Sequence, residues 1–410
     1  MQRREFVTAA GATGVALVVA PRSDGAARRA ATGTAADAAT AQPALSPEVF
    51  ASRLARAQTE LGTRGLDFFI ATPSTNYEYF TGYNPGRSER LIALLLPATG
   101  APAVVCPSFE VERITRHGVI HDVRGWAEQD EPFQVVRDTV RELTKTRPIG
   151  TIALESSTAY QTSLRLAAAL GGWQFVDAAP VTEPLRIHKG PEELALIRRA
   201  IEITEGAIAA TFSALAVGLT ERDVAQLLSR EMQRRGAEGG GLVQFGPSSA
   251  LPHGGPAAAA LERETVVLID CGCRVAGYES DITRTTWFGD RPTAEFRKIF
   301  NIVHDAQSAA RELGRPRVTQ CQEMDRAARQ VIAEAGYGAF FTHRLGHGLG
   351  MDGHEPPYLV QGNAVRLEPG MVFTLEPGIY QLGKFGVRIE DDCLMTETGV
   401  EVLSHRVAKY

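Results

Sequence analysis

Three apolar runs in the second half of this chain end in a carboxylate. Val266-Val267-Leu268-Ile269 leads into Asp270, Leu375 precedes Glu376, and Arg388-Ile389 precedes Glu390. Runs of this kind are strands fit for burial, where an unpartnered carboxylate costs several kcal/mol or takes up a proton. The fold must therefore supply something that neutralises these acids, either an arginine such as Arg284 or Arg388 or a cation. Asp281, eleven positions after Asp270, opens a further strand pattern, and Gly272 and Gly277 lie between the two. That segment predicts a hairpin with an acid on each arm, face to face across the ladder. His347 sits among Gly346, Gly348 and Gly350, where the backbone can approach closely. His343 lies four residues before it, but no glutamate follows His343 and the glycines oppose a helix, so a single-zinc helical motif is disfavoured. If they converge, four carboxylates and one imidazole carry about four negative charges, which two divalent cations balance and one does not. An oxygen-rich set with one histidine suits manganese first, with cobalt, iron or zinc also able to enter.

The 410 residues allow two separate cores. Residues 1–43 are set apart from them. Arg3-Arg4 precedes a short Ala/Gly-rich apolar stretch that ends near Pro21, the pattern of a twin-arginine export signal, and residues 22–43 read as a spacer. The stretch is too short for stable membrane insertion, so export to the periplasm or the exterior is expected; without a working signal the chain stays cytoplasmic. Ser46-Pro47-Glu48 starts a helix over 47–64. Strand patterns at 67–71, 91–96, 103–106 and 151–154 then alternate with helical patterns near 108–117, 132–145 and 157–170, which argues for an α/β domain over 44–180. Residues 177–190, with Pro180, Pro184 and Gly190, lack apolar periodicity and read as a linker.

The second domain, 181–410, is expected to be α+β. It opens with a helix from Pro191 to about 215, and Thr220 with Asp223 caps another. Helices near 292–313 and 320–335 follow, with strands at 265–269, 281–288, 371–375, 386–389 and 393–395 in a mostly antiparallel sheet. The net charge of −5 and the absence of a Lys/Arg run give no reason to expect nucleic acid or an anionic membrane as partner. Small substrates are the better fit. Five scattered cysteines, Cys106, Cys271, Cys273, Cys321 and Cys393, read as small core residues.

Taken together, Asp270-Cys271-Gly272, Ser280-Asp281-Ile282-Thr283-Arg284-Thr285, Gly346-His347-Gly348-Leu349-Gly350, His354-Glu355-Pro356-Pro357, Leu375-Glu376-Pro377-Gly378 and Arg388-Ile389-Glu390-Asp391 resemble, in order and spacing, the pita-bread metallopeptidases of family M24. Gly277-Tyr278-Glu279-Ser280-Asp281 and Arg186-Ile187-His188-Lys189-Gly190-Pro191-Glu192-Glu193 resemble its Xaa-Pro peptidase branch, that of prolidase and aminopeptidase P. The resemblance implies a creatinase-like α/β N-terminal domain before a pita-bread α+β catalytic domain. It also implies two divalent metal ions with an activating hydroxide between them. Asp270 would chelate one ion, Asp281 and Glu390 would bridge, and His347 and Glu376 would complete the other, Glu376 also serving proton transfer. His253, His343 and His354 would bind substrate and stabilise the oxyanion, and Arg388 would orient the carboxylates. The implied substrates are small peptides with proline second, taken by an Xaa-Pro dipeptidase or aminopeptidase. Family members often form homodimers, so a homodimer is expected by analogy.

Two other readings stand beside this one: a same-fold hydrolase of a non-peptide amide or amino-acid derivative, and a binding module without catalysis. Metal content separates the second, because a module of that kind loses ligands. For the export signal, replacing Arg3-Arg4 by Lys-Lys is expected to hold the protein in the cytoplasm of a host with the twin-arginine pathway. Fractionation and immunoblotting read the outcome, and unchanged export of the variant refutes the signal.

Overall fold

The computed structural model describes residues 45–145, 149–255 and 259–410. The export signal and spacer read from residues 1–43 lie outside them. Among the described residues no helix is long and apolar enough to cross a membrane.

Helix α1 (Pro47–Thr63) starts at Ser46-Pro47 as expected and leads into β1 (Phe68–Ala71), α2 (Thr75–Thr81), β2 (Ala93–Pro97) and β3 (Ala103–Pro107). Then come α3 (Val111–His117), β4 (Val123–Trp126), α4 (Pro132–Thr144), β5 (Thr151–Leu154), α5 (Tyr160–Ala169) and β6 (Gln174–Asp177). The six strands form one mixed sheet in the order β4-β3-β2-β1-β5-β6. The period-two pattern sends Phe68 and Ile70 to the face that α4 and α5 cover, with Val136, Val140 and Leu166. Phe69 and Ala71 go to the other face, against Ala57 and Leu61 of α1. Helix α2 and strands β4 and β6 were not expected. The outer strands β4 and β6 have only one and no fully buried residues, so their sequences carry little apolar signal.

The segment 177–190 corrects the sequence reading, since it contains a helix, α6 (Ala179–Arg186), and is no unstructured linker. Pro180 falls in the first turn, where its missing N–H costs nothing, while Pro184 removes one interior bond. Tertiary burial outweighs that loss. Val181 and Leu185 enter the same core as Ala57 and Leu61, and the Leu185 carbonyl accepts from Tyr79 Oη at 2.9 Å and Arg56 Nη2 at 3.1 Å. That core continues without a break into α7 (Pro191–Ser213) through Leu196, Ile197 and Ala200.

Helix α8 (Glu221–Arg234) begins with the expected capping box, Thr220 Oγ1 accepting from Asp223 N. Strands β7 (Glu238–Phe245), β8 (Thr265–Val275), β9 (Tyr278–Glu279) and β10 (Ile282–Phe288) form an antiparallel sheet under α7 and α8. Strand β7 was missed because Gly239-Gly240-Gly241 hides it. The glycines are required, since a Cβ on Gly241 would lie 2.1 Å from the Asp270 carbonyl oxygen. Helices α9 (Ala294–Leu313) and α10 (Cys321–Glu334) pack on a second antiparallel sheet. Its strands are β11 (Gly346–Gly348), β12 (Glu355–Leu359), β13 (Val372–Leu375), β16 (Asp391–Met395) and β17 (Val400–Val402), in the order β12-β11-β13-β16-β17. A ribbon of β14 (Gly378–Gln381) and β15 (Phe385–Arg388) completes the half. All five cysteines are buried and unpaired.

Arg53 of α1 is buried where the two halves meet. It donates to Glu193 Oε1 of α7 at 2.9 Å, to Tyr278 Oη at 2.5 Å and to the Tyr79 carbonyl at 3.0 Å. Replacing it by Met strands the Glu193 carboxylate in the core. The expected destabilisation is about 3–5 kcal/mol, read as a lowered urea midpoint, and a smaller loss is expected when Glu193 is changed to Leu as well.

Candidate metal centre

The two sheets bring the sequence-selected residues together. Asp270 lies inside β8, where a strand ending at 269 was expected, and Asp281 immediately precedes β10. The two aspartates are not directly opposed: the register pairs Asp270 with Thr283, so Asp281, two residues earlier, holds the diagonal position on the same face. His347 is the centre of β11. A Cβ on Gly346 would sit 2.0 Å from the Thr374 carbonyl oxygen, and one on Gly348 would sit 2.2 Å from that of Pro356. The flanking glycines therefore allow β12 and β13 to close on both sides of the histidine. Glu376 follows the end of β13, and Glu390 stands between β15 and β16.

Donor atoms of His347, Glu376 and Glu390 lie within 4.8 Å of one another, as do those of Asp270, Asp281 and Glu390 and those of Asp281, His347 and His354. Glu390 joins the first two groups, and Asp281 and His347 tie the third to them. His347 Nε2 is 3.2 Å from Glu376 Oε1 and 3.7 Å from Asp281 Oδ2, while its Nδ1 is 3.1 Å from the Gly348 carbonyl oxygen. Donation from Nδ1 to that carbonyl leaves the Nε2 lone pair free for a metal. Burial, then the charge of Asp270, pushes the Asp281 carboxyl well above its ordinary range; burial, then Asp281, does the same to Glu390. Burial also acts upward on Glu376, but its contact with His347 brings it below its usual value. Two carboxyls driven toward protonation beside a free imidazole lone pair form a donor set that suits hard divalent cations.

Arg388 orders this set. It donates to Asp270 Oδ2 at 2.6 Å, to Thr283 Oγ1 at 3.0 Å and to Tyr380 Oη at 2.9 Å. Thr283 in turn donates to Glu390 Oε2 at 2.6 Å. From α9, buried Gln307 donates to the carbonyls of Leu375 and Ile389 at 3.0 and 3.3 Å, the residues just before the two glutamates. Thr283, Tyr380 and Gln307 were not singled out from the sequence. Only the clustering of Thr283 within Ser280-Asp281-Ile282-Thr283-Arg284-Thr285 offered a signal.

The three remaining histidines line the same cavity, of about 500 Å³, with the ligand residues. His343 has both ring nitrogens engaged, Nδ1 with the Arg344 carbonyl and Nε2 with Tyr380 Oη, each at 2.7 Å. Burial lowers its pKa. The His354 ring lies 3.9 Å from the His347 ring, tilted by 45° to it, and has its Nδ1 3.3 Å from Arg344 Nη2. Accepting from Arg344 leaves Nε2 to carry the proton, and burial, then His347 and Arg344, hold this imidazole neutral by lowering its pKa. The neighbouring Glu355 anchors it through Lys189 Nζ at 2.7 Å and through Arg186, which also meets Asp352 at 2.7 Å. His253 is exposed at the cavity wall.

Residues 195–397 match metallopeptidase family M24, and residues 53–188 match the creatinase/prolidase N-terminal domain. An uncharacterized peptidase of Staphylococcus aureus is 35% identical over 357 residues, covering 86% of this chain and 99% of its own length. The chain belongs to metallopeptidase family M24. Its fold is the creatinase-like domain followed by the pita-bread catalytic domain, and it is a peptidase that depends on metal. Among solved structures, the dipeptidase PepE of Mycobacterium ulcerans is similar at 34% identity and a TM-score of 0.81, over 89% of this chain and 98% of the other. A prolidase of Thermococcus sibiricus follows at 30% and 0.80, over 88% and 98%. The Xaa-Pro dipeptidase of Bacillus anthracis is 28% identical with a TM-score of 0.78, over 87% and 98%.

Asp281 in this M24 metallopeptidase offers an oxygen to two of the three donor groups and lies 3.7 Å from the imidazole of His347. Asp281→Asn keeps the shape and removes the charge, so it is expected to abolish peptidase activity and to cut the bound metal at least by half. Elemental analysis alongside an assay reads both, and a fully active, fully loaded variant excludes the role.

Proposed function

We propose that this chain is an Xaa-Pro peptidase holding two divalent cations, one by Asp270, Asp281 and Glu390 and the other by His347, Glu376 and Glu390, with Asp281 shared as well. The observation that carries the reading is that, of three three-residue donor groups in the cavity, two meet at Glu390 and the third shares Asp281 and His347 with them. When bound, the cations supply Lewis-acid activation of the scissile carbonyl and of an attacking water. Manganese suits the donor set best. Similarity to a prolidase and to an Xaa-Pro dipeptidase of solved structure supports the proline preference.

The side chains of this protein do the rest. Glu376, beside the imidazoles of His347 and His343, takes a proton from the nucleophile and passes it to the leaving nitrogen. The need for that proton is acute here, because an Xaa-Pro bond is a tertiary amide whose departing nitrogen belongs to the proline ring. His354, with Nε2–H directed away from Arg344, donates to the charge that develops on the carbonyl oxygen. Tyr380, pushed up to about 12 by burial, stays a neutral phenol and locks His343 against Arg388. His253, exposed at the cavity wall, is placed to meet the substrate as it enters. Export through Arg3-Arg4 would put this activity outside the cytoplasm.

A substrate panel tests the reading. The purified chain, supplied in turn with manganese, cobalt and zinc, is offered Xaa-Pro dipeptides, longer peptides beginning Xaa-Pro, and the same peptides with alanine in place of proline. Hydrolysis of proline substrates at least tenfold faster than their alanine counterparts is the expected result. Cleavage of N-acyl amino acids or similar amides, with no proline peptide cut under any metal, would replace this reading with the non-peptide hydrolase.

A further inference from the structure

The segment 341–345, which carries His343, belongs to no helix or strand, so its course depends on side chains that reach it from elsewhere. Two residues of α10 do so. Asp325 and Arg329, four apart and hence on one face of the helix, form a bidentate pair, with Arg329 Nε 3.1 Å from Oδ2 and Nη2 2.9 Å from Oδ1. Asp325 is buried. A pair of this kind adds little net stability by itself, so its effect lies in what its remaining donors and lone pairs hold. Arg329 Nη1 donates to the Phe341 carbonyl at 2.9 Å, and Nη2 donates to the His343 carbonyl at 2.8 Å. Asp325 Oδ1 also accepts from Leu345 N at 3.0 Å. Three alternate residues, Phe341, His343 and Leu345, are thus fastened to one turn of helix.

The hold extends into the site. The guanidinium carbon of Arg329 lies 4.3 Å from the centre of the Phe341 ring, and that ring stands edge-on to His343 with the two centres 5.2 Å apart. Leu345, fixed at its N–H by Asp325, accepts at its carbonyl from Glu376 N at 2.8 Å, and Glu376 Oε2 is 3.9 Å from His343 Nδ1. We propose that Arg329, braced by Asp325, is a positioning residue that sets the His343 imidazole against the substrate. The inference rests on the reading of His343 as a group that binds substrate, and it extends the working site to two residues that do not line the cavity. One planar fork grips both carbonyls, which fixes the direction of the segment as well as its place. Without that fork only the ring's own bonds, to the Arg344 carbonyl and to Tyr380 Oη, remain to aim it. A misplacement of about 1 Å in a group that meets the substrate costs up to roughly a hundredfold in rate.

A double-mutant cycle with His343 tests this. For the full chain loaded with manganese, kcat/KM per bound metal is measured for wild type, Arg329→Lys, Arg329→Met, His343→Ala and the two double variants. The substrate is whichever peptide of the panel above wild type cleaves fastest, so failure of the proline preference does not touch the result. Lysine keeps a charge beside Asp325, and with it the fold, but a single ammonium cannot grip both carbonyls as the fork does. Arg329→Lys is expected to lower kcat/KM roughly tenfold in the wild-type background and less than about twofold beside His343→Ala, with metal content unchanged. Arg329→Met is expected to lose more and to show the same dependence on His343; should it fail to fold, the lysine variant decides alone. A loss of equal size in both backgrounds marks a merely structural role and overturns the inference. So does an unchanged kcat/KM in Arg329→Lys, or a loss that disappears once rates are expressed per bound metal. Wild-type kcat/KM in His343→Ala removes the reading of His343 and this inference with it, while the peptidase reading stands. Cleavage of no peptide by wild type under any of the three metals removes the Xaa-Pro reading and this inference together.

Discussion

Repulsion among four carboxylates drawn into one partly buried cavity governs the catalytic half of this protein. Asp270, Asp281, Glu376 and Glu390 come from two different sheets, and the structure around them limits and directs their charge. Arg388 neutralises Asp270 and steers Thr283 onto Glu390. Gln307 ties together the chain just before each glutamate. Asp281 and Glu390 are left with raised pKa values, the electrostatic mark of sites that a divalent cation stabilises in the charged form. The glycines about His347 belong to the same constraint, because the imidazole joins the acids only if β12 and β13 close tightly around it.

The N-terminal domain takes part in the site at a distance. The core begun by α1 and α6 runs on into α7, and Arg53, Glu193 and Tyr278 bond within it. Nearer the cavity, Thr75 and Asn76 of α2 meet Asp352 and Arg186, and Arg186 with Lys189 holds Glu355, the residue after His354. The position of His354 is therefore set partly by residues that precede the catalytic domain. In this chain the α/β layer thus helps to hold the segment that carries His354.

Elements with strong local signals were legible in the sequence. The Ser46-Pro47 start of α1, the Thr220–Asp223 box of α8 and the long amphipathic α7, α9 and α10 need only neighbours in the chain to be recognised. Elements that depend on distant partners were not. Helix α6 carries two prolines and is stabilised by burial of Val181 and Leu185, while β7 has a run of three glycines that make sense only beside β8 and α8. Strand β11, three residues long, exists because β12 and β13 flank it.

The candidate site divides along the same line. Apolar runs that end in acids, a hairpin with an acid on each arm and a histidine among glycines raised Asp270, Asp281, His347, Glu376 and Glu390 as candidates, because burying charge is costly enough to leave its mark on composition, and resemblance to a family assigned them as ligands. Resemblance to a family added His253, His343, His354 and Arg388. The sequence could not give the diagonal offset of the two aspartates, which follows from the register of β8 and β10. Nor could it give the support from Thr283, Gln307 and Tyr380. Those are properties of which side chains meet across more than a hundred residues of chain, and hydrogen-bond and ion-pair partners at that separation are chosen by tertiary packing rather than by local pattern.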